Sequence, residues 1–241
     1  MRSKVFVVAT RHARYATDKY PKNSVVIDPW RYVEKRDNVT VRRLGENKPE
    51  TISLLLPSRG RPTWLHRMMF TALETAIYPR SVEIVVYVDE DDPEREAYLR
   101  LPWVKVKLGP RIVLSEMWND CFQRSTGNIV MHCGDDVVFK TPGWDEIVRK
   151  EFEKYPDKLV FLYGDDLGPN GQVFGTHGFM HRRWAEIVGY FVPPLFSSDW
   201  NDVWLNEVAD MIGRKVLIPI VTEHLHYTFG KAPRDQTHHD P

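Results

Sequence analysis

Cysteine is nearly absent from this chain: 241 residues contain two, Cys121 and Cys133. Two thiols exclude a disulfide scaffold, and no CxxC pair is present. Long apolar runs are missing as well. No stretch of ~18 uninterrupted apolar residues exists, so no membrane span is expected. The N-terminus, MRSKVFVVATRHARY, interrupts its short apolar stretch with charge at once and makes a poor secretory leader. A cytoplasmic location is the expectation. There is no internal repeat and no low-complexity tract. Net charge is also lacking, with 33 basic residues against 33 acidic ones. What remains is an ordinary globular composition, 42% hydrophobic and 27% charged. A chain of this length can hide roughly 70–75% of its unfolded surface and needs no covalent staple.

The zero total conceals an asymmetry. The first 50 residues hold 12 Lys and Arg against 6 Asp and Glu, leaving 21 and 27 for the rest. Residues 1–48 read as a basic, β-rich N-terminal arm with strand-like runs at 4–10, 24–28 and 39–43. The arm has too little apolar material for an independent core and is expected to dock on the main body. Its Arg11, Arg14, Lys19, Lys22, Arg31, Lys35, Arg36, Arg42 and Arg43 make either a solvated face or a contact surface for a polyanion.

From residue 49 to 241 strands and helices alternate. ISLLL at 52–56 is a continuous apolar run, the pattern of a strand buried on both faces. Pro62 suits a first helical turn, and Leu65, Met68, Met69, Ala72, Leu73 and Ala76 follow at helical spacing. Further strands are predicted at 83–88, 104–107, 128–132, 159–163 and 215–220. Ser115 is predicted to cap a helix with Met117, Trp118, Cys121 and Phe122 inside, stopped near Gly127. Helices are also predicted around Trp144–Tyr155, around Trp184–Phe191, and from about Val203 to Ile212, closed by Gly213. The rhythm predicts an α/β fold, a mainly parallel sheet with helices on both faces.

Open α/β sheets bind ligands beyond the carboxyl ends of their strands. Those ends carry Pro57-Ser58-Arg59-Gly60-Arg61-Pro62, then Asp89 to Asp92, then Gly134-Asp135-Asp136, and last Thr222 to His226. One rim therefore gathers arginines, carboxylates and two histidines. Carboxylate and imidazole suit Mn²⁺ or Mg²⁺ better than thiophilic ions, and arginine suits phosphate. The physical reading is a divalent cation clamping a diphosphate leaving group. Each piece has a plain alternative: Gly-Asp-Asp is also good turn chemistry, and His-x-His is often a surface or core pair. Convergence at one rim is what favours chemistry.

Residues ~51–235 resemble a GT-A-fold (Rossmann-like) glycosyltransferase of the family 2 type. The resemblance rests on Leu56-Pro-Ser-Arg-Gly-Arg-Pro62, Val86-Tyr-Val-Asp89, Trp118-Asn119 followed by Gly127-Asn-Ile-Val, and Gly134-Asp-Asp136. It continues through Gly178-Phe-Met-His-Arg182, Gly189-Tyr-Phe, Asp199-Trp-Asn-Asp202-Val and His224-Leu-His226. It implies that Pro57 and Arg59 line a nucleotide pocket and that Asp89 accepts from the nucleobase edge, which favours a uridine donor. It places Arg111 near the nucleotide, Asp135 near the ribose and Asp136 on the metal, the DxD region of the family. Cys133 stands where the first aspartate of that motif is usual. His226, or His224, would complete the metal site. Asp202 matches the catalytic base, with Asn201 in place of the usual Glu, and Asp199 is the reserve. Asp202 also fits a first-turn helix cap, with Ser198 or Asp199 starting the helix.

The implied activity is transfer of a sugar from a nucleotide-sugar donor, UDP-linked by preference, to an acceptor hydroxyl with inversion. The cofactor is Mn²⁺ or Mg²⁺, and the acceptor is a glycan, a protein or a hydroxylated DNA base. A nucleotidyltransferase is the rival enzyme, disfavoured because the loop after the first strand holds no lysine. A non-catalytic nucleotide- or sugar-binding protein is the rival outside enzymology, favoured by Cys133 and Asn201.

Overall fold

The computed structural model describes residues 5–10, 13–16, 18–29, 32–34, 39–42, 49–197 and 199–233. Of the predicted positions, Lys4, Arg11, Arg31, Lys35, Arg36, Arg43 and Ser198 lie outside the described residues. The chain divides into two compact units, Met1–Lys48 and Pro49–Pro241. In the first, β1 (Val5–Val7), β2 (Ser24–Ile27) and β3 (Val39–Arg42) form a parallel sheet in that order. Val8, Val26 and Val33 are its buried centre, flanked by Phe6, Tyr15, Tyr20 and Tyr32. The Val33 N–H donates to the buried Asp28 Oδ2 at 2.6 Å and closes the turn beyond β2.

The second unit is built on an eight-stranded sheet. Its strands are β4 (Ile52–Ser58), β5 (Val82–Asp89), β6 (Val104–Gly109), β7 (Ile129–His132), β8 (Val137–Phe139), β9 (Phe161–Asp165), β10 (Gly178–His181) and β11 (Lys215–His224). The spatial order is β6-β5-β4-β7-β10-β9-β11-β8. Pairing is parallel from β6 to β7 and between β9 and β11; β10 runs antiparallel to both neighbours, and β8 runs antiparallel to β11.

Alternation along β4 explains why ISLLL carries leucines on both faces of the strand. Ile52, Leu54 and Leu56 pack on one face with α1 (Pro62–Thr75) and α4 (Trp144–Glu153). Leu55 faces the other way, against α3 (Leu114–Arg124), α5 (Arg182–Val188) and α6 (Asn201–Met211). All four are fully buried, each contributing roughly 1.5–3 kcal/mol of transfer free energy. Helices thus cover both faces, as the rhythm predicted.

Several expectations are corrected. Ser115 is not a cap: Val113 occupies that position, and the Ser115 hydroxyl donates to the Phe196 carbonyl. Gly127 does not stop α3, which ends at Arg124. It lies where a Cβ would sit 2.4 Å from Ser53 Oγ, so only glycine lets the turn approach β4. Asp199 does not cap α6 either; Trp200 occupies that position with φ 77° and no capping side chain. β8, β10 and the short α2 (Arg95–Leu99) were not anticipated, and β11 runs four residues past the predicted end.

Chain direction locates the cleft. From β4 the chain steps outward to β5 and β6, then α3 carries it back to β7 on the opposite side of β4. The strand order reverses between β4 and β7, and ligands of such sheets bind beyond the carboxyl ends at that point.

Candidate active site

A cleft of about 580 Å³ opens at this switch point. All ten residues singled out from the sequence line it: Pro57, Arg59, Asp89, Arg111, Asp135, Asp136, Asp199, Asp202, His224 and His226. Ser58, Arg61, His132, Trp200 and His177 line it too.

One wall is the loop after β4. Arg59 Nη1 donates to Asp89 Oδ2 at 2.9 Å and also reaches Asp91. Asp89 ends β5 with its other oxygen, Oδ1, buried and without a hydrogen-bond partner among the described residues. Burial raises its pKa, opposed by Arg59. Ser58 Oγ donates to Asp135 Oδ2 at 2.6 Å, and Arg61 Nη1 lies 3.5 Å from Asp135 Oδ1. Arg61 N donates to the buried Tyr98 hydroxyl at 2.7 Å, tying the loop to α2. Burial and the charge of Asp136 push the Asp135 carboxyl above the usual carboxylate range, against Arg61 and Ser58.

The floor is a carboxylate–imidazole cluster whose assembly is a matter of register. In the β8–β11 ladder Val137 faces His224, which sets His224 beside Asp136; the Leu225 N–H donates to the Asp136 carbonyl at 2.9 Å. In the β7–β10 ladder Gly178 faces His132, which brings His177 to the end of β7. His224 Nε2 hydrogen bonds with Asp136 Oδ2 at 3.2 Å. One ligand atom from each of Asp136, His177 and His224 lies within 4.8 Å of the other two, and all three residues are buried. Gly134 makes this possible: a Cβ there would lie 2.6 Å from Asp136 Oδ1 and 3.1 Å from His177 Nε2.

Burial pushes the Asp136 carboxyl up, but the hydrogen bond and charge of His224, with His177 and Arg61 nearby, outweigh it and hold the group below the usual carboxylate range. Burial, then the neighbouring imidazole of His224, pushes His177 well below its ordinary value. Burial drives His132 down to about 4. Burial therefore favours the neutral form of His177, the state in which an imidazole can bind a cation, beside an Asp136 held ionised. Nδ1 of both His177 and His224 is buried without a hydrogen-bond partner among the described residues. The donor set therefore fits a divalent cation.

His226 stands next in line rather than in that group. Its ring centroid is 5.0 Å from that of His224, and its Nδ1 hydrogen bonds with Thr228 Oγ1 at 2.6 Å. Asp202 lies in the first turn of α6, with Oδ1 accepting from the Val203 N–H at 2.8 Å. Burial raises its pKa, opposed by that bond and assisted by the charge of Asp199. Asp199 and Trp200 are exposed at the cleft. The sequence reading missed His177, because Thr176-His177-Gly178 carries no signal until β10 is known to lie beside β7.

No family model matches the chain. It is 26% identical over 171 residues to the O-antigen biosynthesis protein RfbC of Myxococcus xanthus, covering 64% of this chain and 13% of that protein. The chain thus spans about an eighth of the length of this curated relative. Two solved structures share the architecture. A mannosyltransferase, PcManGT from Pyrobaculum calidifontis, in complex with GDP-Man and Mn²⁺, superposes with a TM-score of 0.57 at 16% identity, over 75% of this chain and 58% of its own. Residues 1–349 of S. aureus TarS give a TM-score of 0.54 at 10% identity, over 72% and 60%. The fold is the GT-A glycosyltransferase fold expected from the sequence.

Proposed function

We propose that this chain is a metal-dependent glycosyltransferase that moves a sugar from a UDP-sugar to an acceptor hydroxyl with inversion. One observation carries the reading. A single cleft at the switch point of a GT-A fold joins a cation cluster, a buried carboxylate oxygen with no partner among the described residues, and Asp202 on its lining. Its volume falls in the range of small-molecule sites. The neighbour solved with GDP-Man and Mn²⁺ supports a nucleotide-sugar donor with a divalent cation. The name of the curated relative supports a saccharide acceptor over a protein or a DNA base.

Asp89 Oδ1 accepts from a nucleobase N–H, while Arg59 keeps the carboxylate ionised and aimed. Uracil offers one such donor at its pairing edge. Arg59, Arg61 and Arg111 face the pyrophosphate charge. Asp136, His177 and His224 would hold the cation, which when bound would offset negative charge on the departing diphosphate. Asp202 takes the proton of the acceptor hydroxyl. The acceptor oxygen bonds to the anomeric carbon as the bond from that carbon to the diphosphate breaks, its electron pair leaving with the nucleotide. Trp200, exposed and held in a left-handed conformation, offers a face for an acceptor sugar.

The test is release of nucleoside diphosphate from UDP-sugars and GDP-mannose, with and without Mn²⁺. UDP release that requires the ion, and falls in Asp202→Asn without loss of UDP binding, is expected. Binding without release in any combination would identify a non-catalytic binding protein. Release of pyrophosphate from a nucleoside triphosphate would point to nucleotidyl transfer.

A further inference from the structure

The cation cluster differs in its chemistry from the acid-rich pattern that the Gly134-Asp135-Asp136 stretch suggests. Asp135 is committed elsewhere, to Ser58 and Arg61. Cys133 does not substitute for an acid. Its buried thiol donates to the Gly134 carbonyl at 3.4 Å, and burial pushes its pKa up, which withholds the thiolate. Among the described residues the converging group is one carboxylate and two imidazoles.

We propose that His177 is a ligand of the cation together with Asp136 and His224, and that this nitrogen-rich set takes a transition cation, Mn²⁺, Co²⁺ or Zn²⁺, and rejects Mg²⁺ and Ca²⁺. The inference rests on the transferase reading only in that a donor diphosphate fills the remaining positions.

Three features support it. First, the atoms are close to coordination spacing. The 3.2 Å between His224 Nε2 and Asp136 Oδ2 matches the edge, ~3.0–3.4 Å, between adjacent ligands bound at ~2.1–2.3 Å. Second, His177 is buried and makes no hydrogen bond to another described residue, so its ring has no competing partner. Third, the backbone makes room for the pair: Gly134 lies against both Asp136 Oδ1 and His177 Nε2, where any side chain would intrude. Mg²⁺ demands oxygen ligands in near-ideal octahedral array and sheds water reluctantly. Two of the three protein positions here are nitrogen; affinity for such a site rises along the first row from Mn²⁺, and even Mn²⁺ accepts imidazole beside carboxylate where Mg²⁺ holds to oxygen and water.

The test uses the full chain and the metal chlorides alone. Calorimetric titration with Mn²⁺, Co²⁺, Zn²⁺, Mg²⁺ and Ca²⁺ is expected to show the first three binding at least ~10-fold more tightly than the last two. Pulsed electron paramagnetic resonance of the Mn²⁺ form is expected to resolve nitrogen couplings from two imidazoles. His177→Ala and His177→Gln should each reduce these to one. The wild-type count needs no variant to fold. Mg²⁺ binding as tightly as Mn²⁺, or one nitrogen coupling in the wild type, would overturn the assignment. If that result came with intact, ion-dependent UDP release, the ligand set would fall and the transferase reading would stand. Two couplings with no nucleotide binding would have the opposite meaning.

Discussion

Asp202, half-buried, and Asp89, buried, both line the cleft, yet their surroundings fit them for opposite tasks. Arg59 donates to one Asp89 oxygen, and the other has no partner among the described residues, which suits a fixed acceptor. Among the described residues no lysine or arginine forms an ion pair with Asp202; burial foremost, aided by the Asp199 charge, lifts its pKa above the ordinary carboxylate value. A base with a raised pKa accepts a proton more readily but works only when deprotonated. The kcat profile should therefore fall on the acid side at a pH above the usual Asp range. Asp202→Asn should lose kcat by about 10²–10⁴-fold with KM for the donor little changed, and lose that acid limb as well. An unchanged limb in the variant would assign it to another group. Asp89→Asn converts a pure acceptor into a mixed donor and acceptor. It should weaken UDP binding by roughly 10-fold, about one charge-assisted hydrogen bond, as read by titration calorimetry.

Elements bring these side chains together, and their stability can be tested separately. Leu55 is the β4 residue that faces α3, α5 and α6. Leu55→Ala should cost about 2–5 kcal/mol and lower the melting temperature by roughly 5–15 °C. The edge of the sheet depends on a different device. Glu83 on β5 accepts from Ser53 Oγ, from Lys105 on β6, and from the Thr126 N–H at 2.8 Å in the turn before β7. Burial pushes its pKa up, but these bonds outweigh it, Lys105 foremost, and the net shift is downward. A depressed carboxylate stabilises the fold above its unfolded pKa of about 4.3, and that stabilisation is lost as pH falls through the lower folded value. Glu83→Gln should therefore lower the melting temperature at pH 7, with the gap to the wild type closing below about pH 4. A gap that persisted in acid would mean the shape of the side chain matters more than its charge.

Across the whole molecule, the sequence disclosed the rim but not its closure. Strands buried on both faces announce themselves as unbroken apolar runs, so β4, β5 and β7 were legible, and with them Arg59, Asp89, Asp135 and Asp136 at their ends. β8 and β10 are three and four residues long, too short for periodicity to register. Those two strands decide which histidines meet Asp136. His224 arrives through the register of β8 with β11, and His177 through that of β10 with β7. The sequence pattern His224-Leu-His226 offered two imidazoles, and only strand pairing separates the one in the cluster from the one beside it. The left-handed Trp200 at the start of α6 was likewise invisible, because a tryptophan in that conformation runs against local preference and is held there by surrounding structure. The most direct measurement of the central claim is calorimetric titration of UDP into the wild type and Asp136→Ala, each with and without Mn²⁺. Ion-dependent tightening of UDP in the wild type, absent from the variant, is the expected result; equal affinity in all four titrations would contradict it.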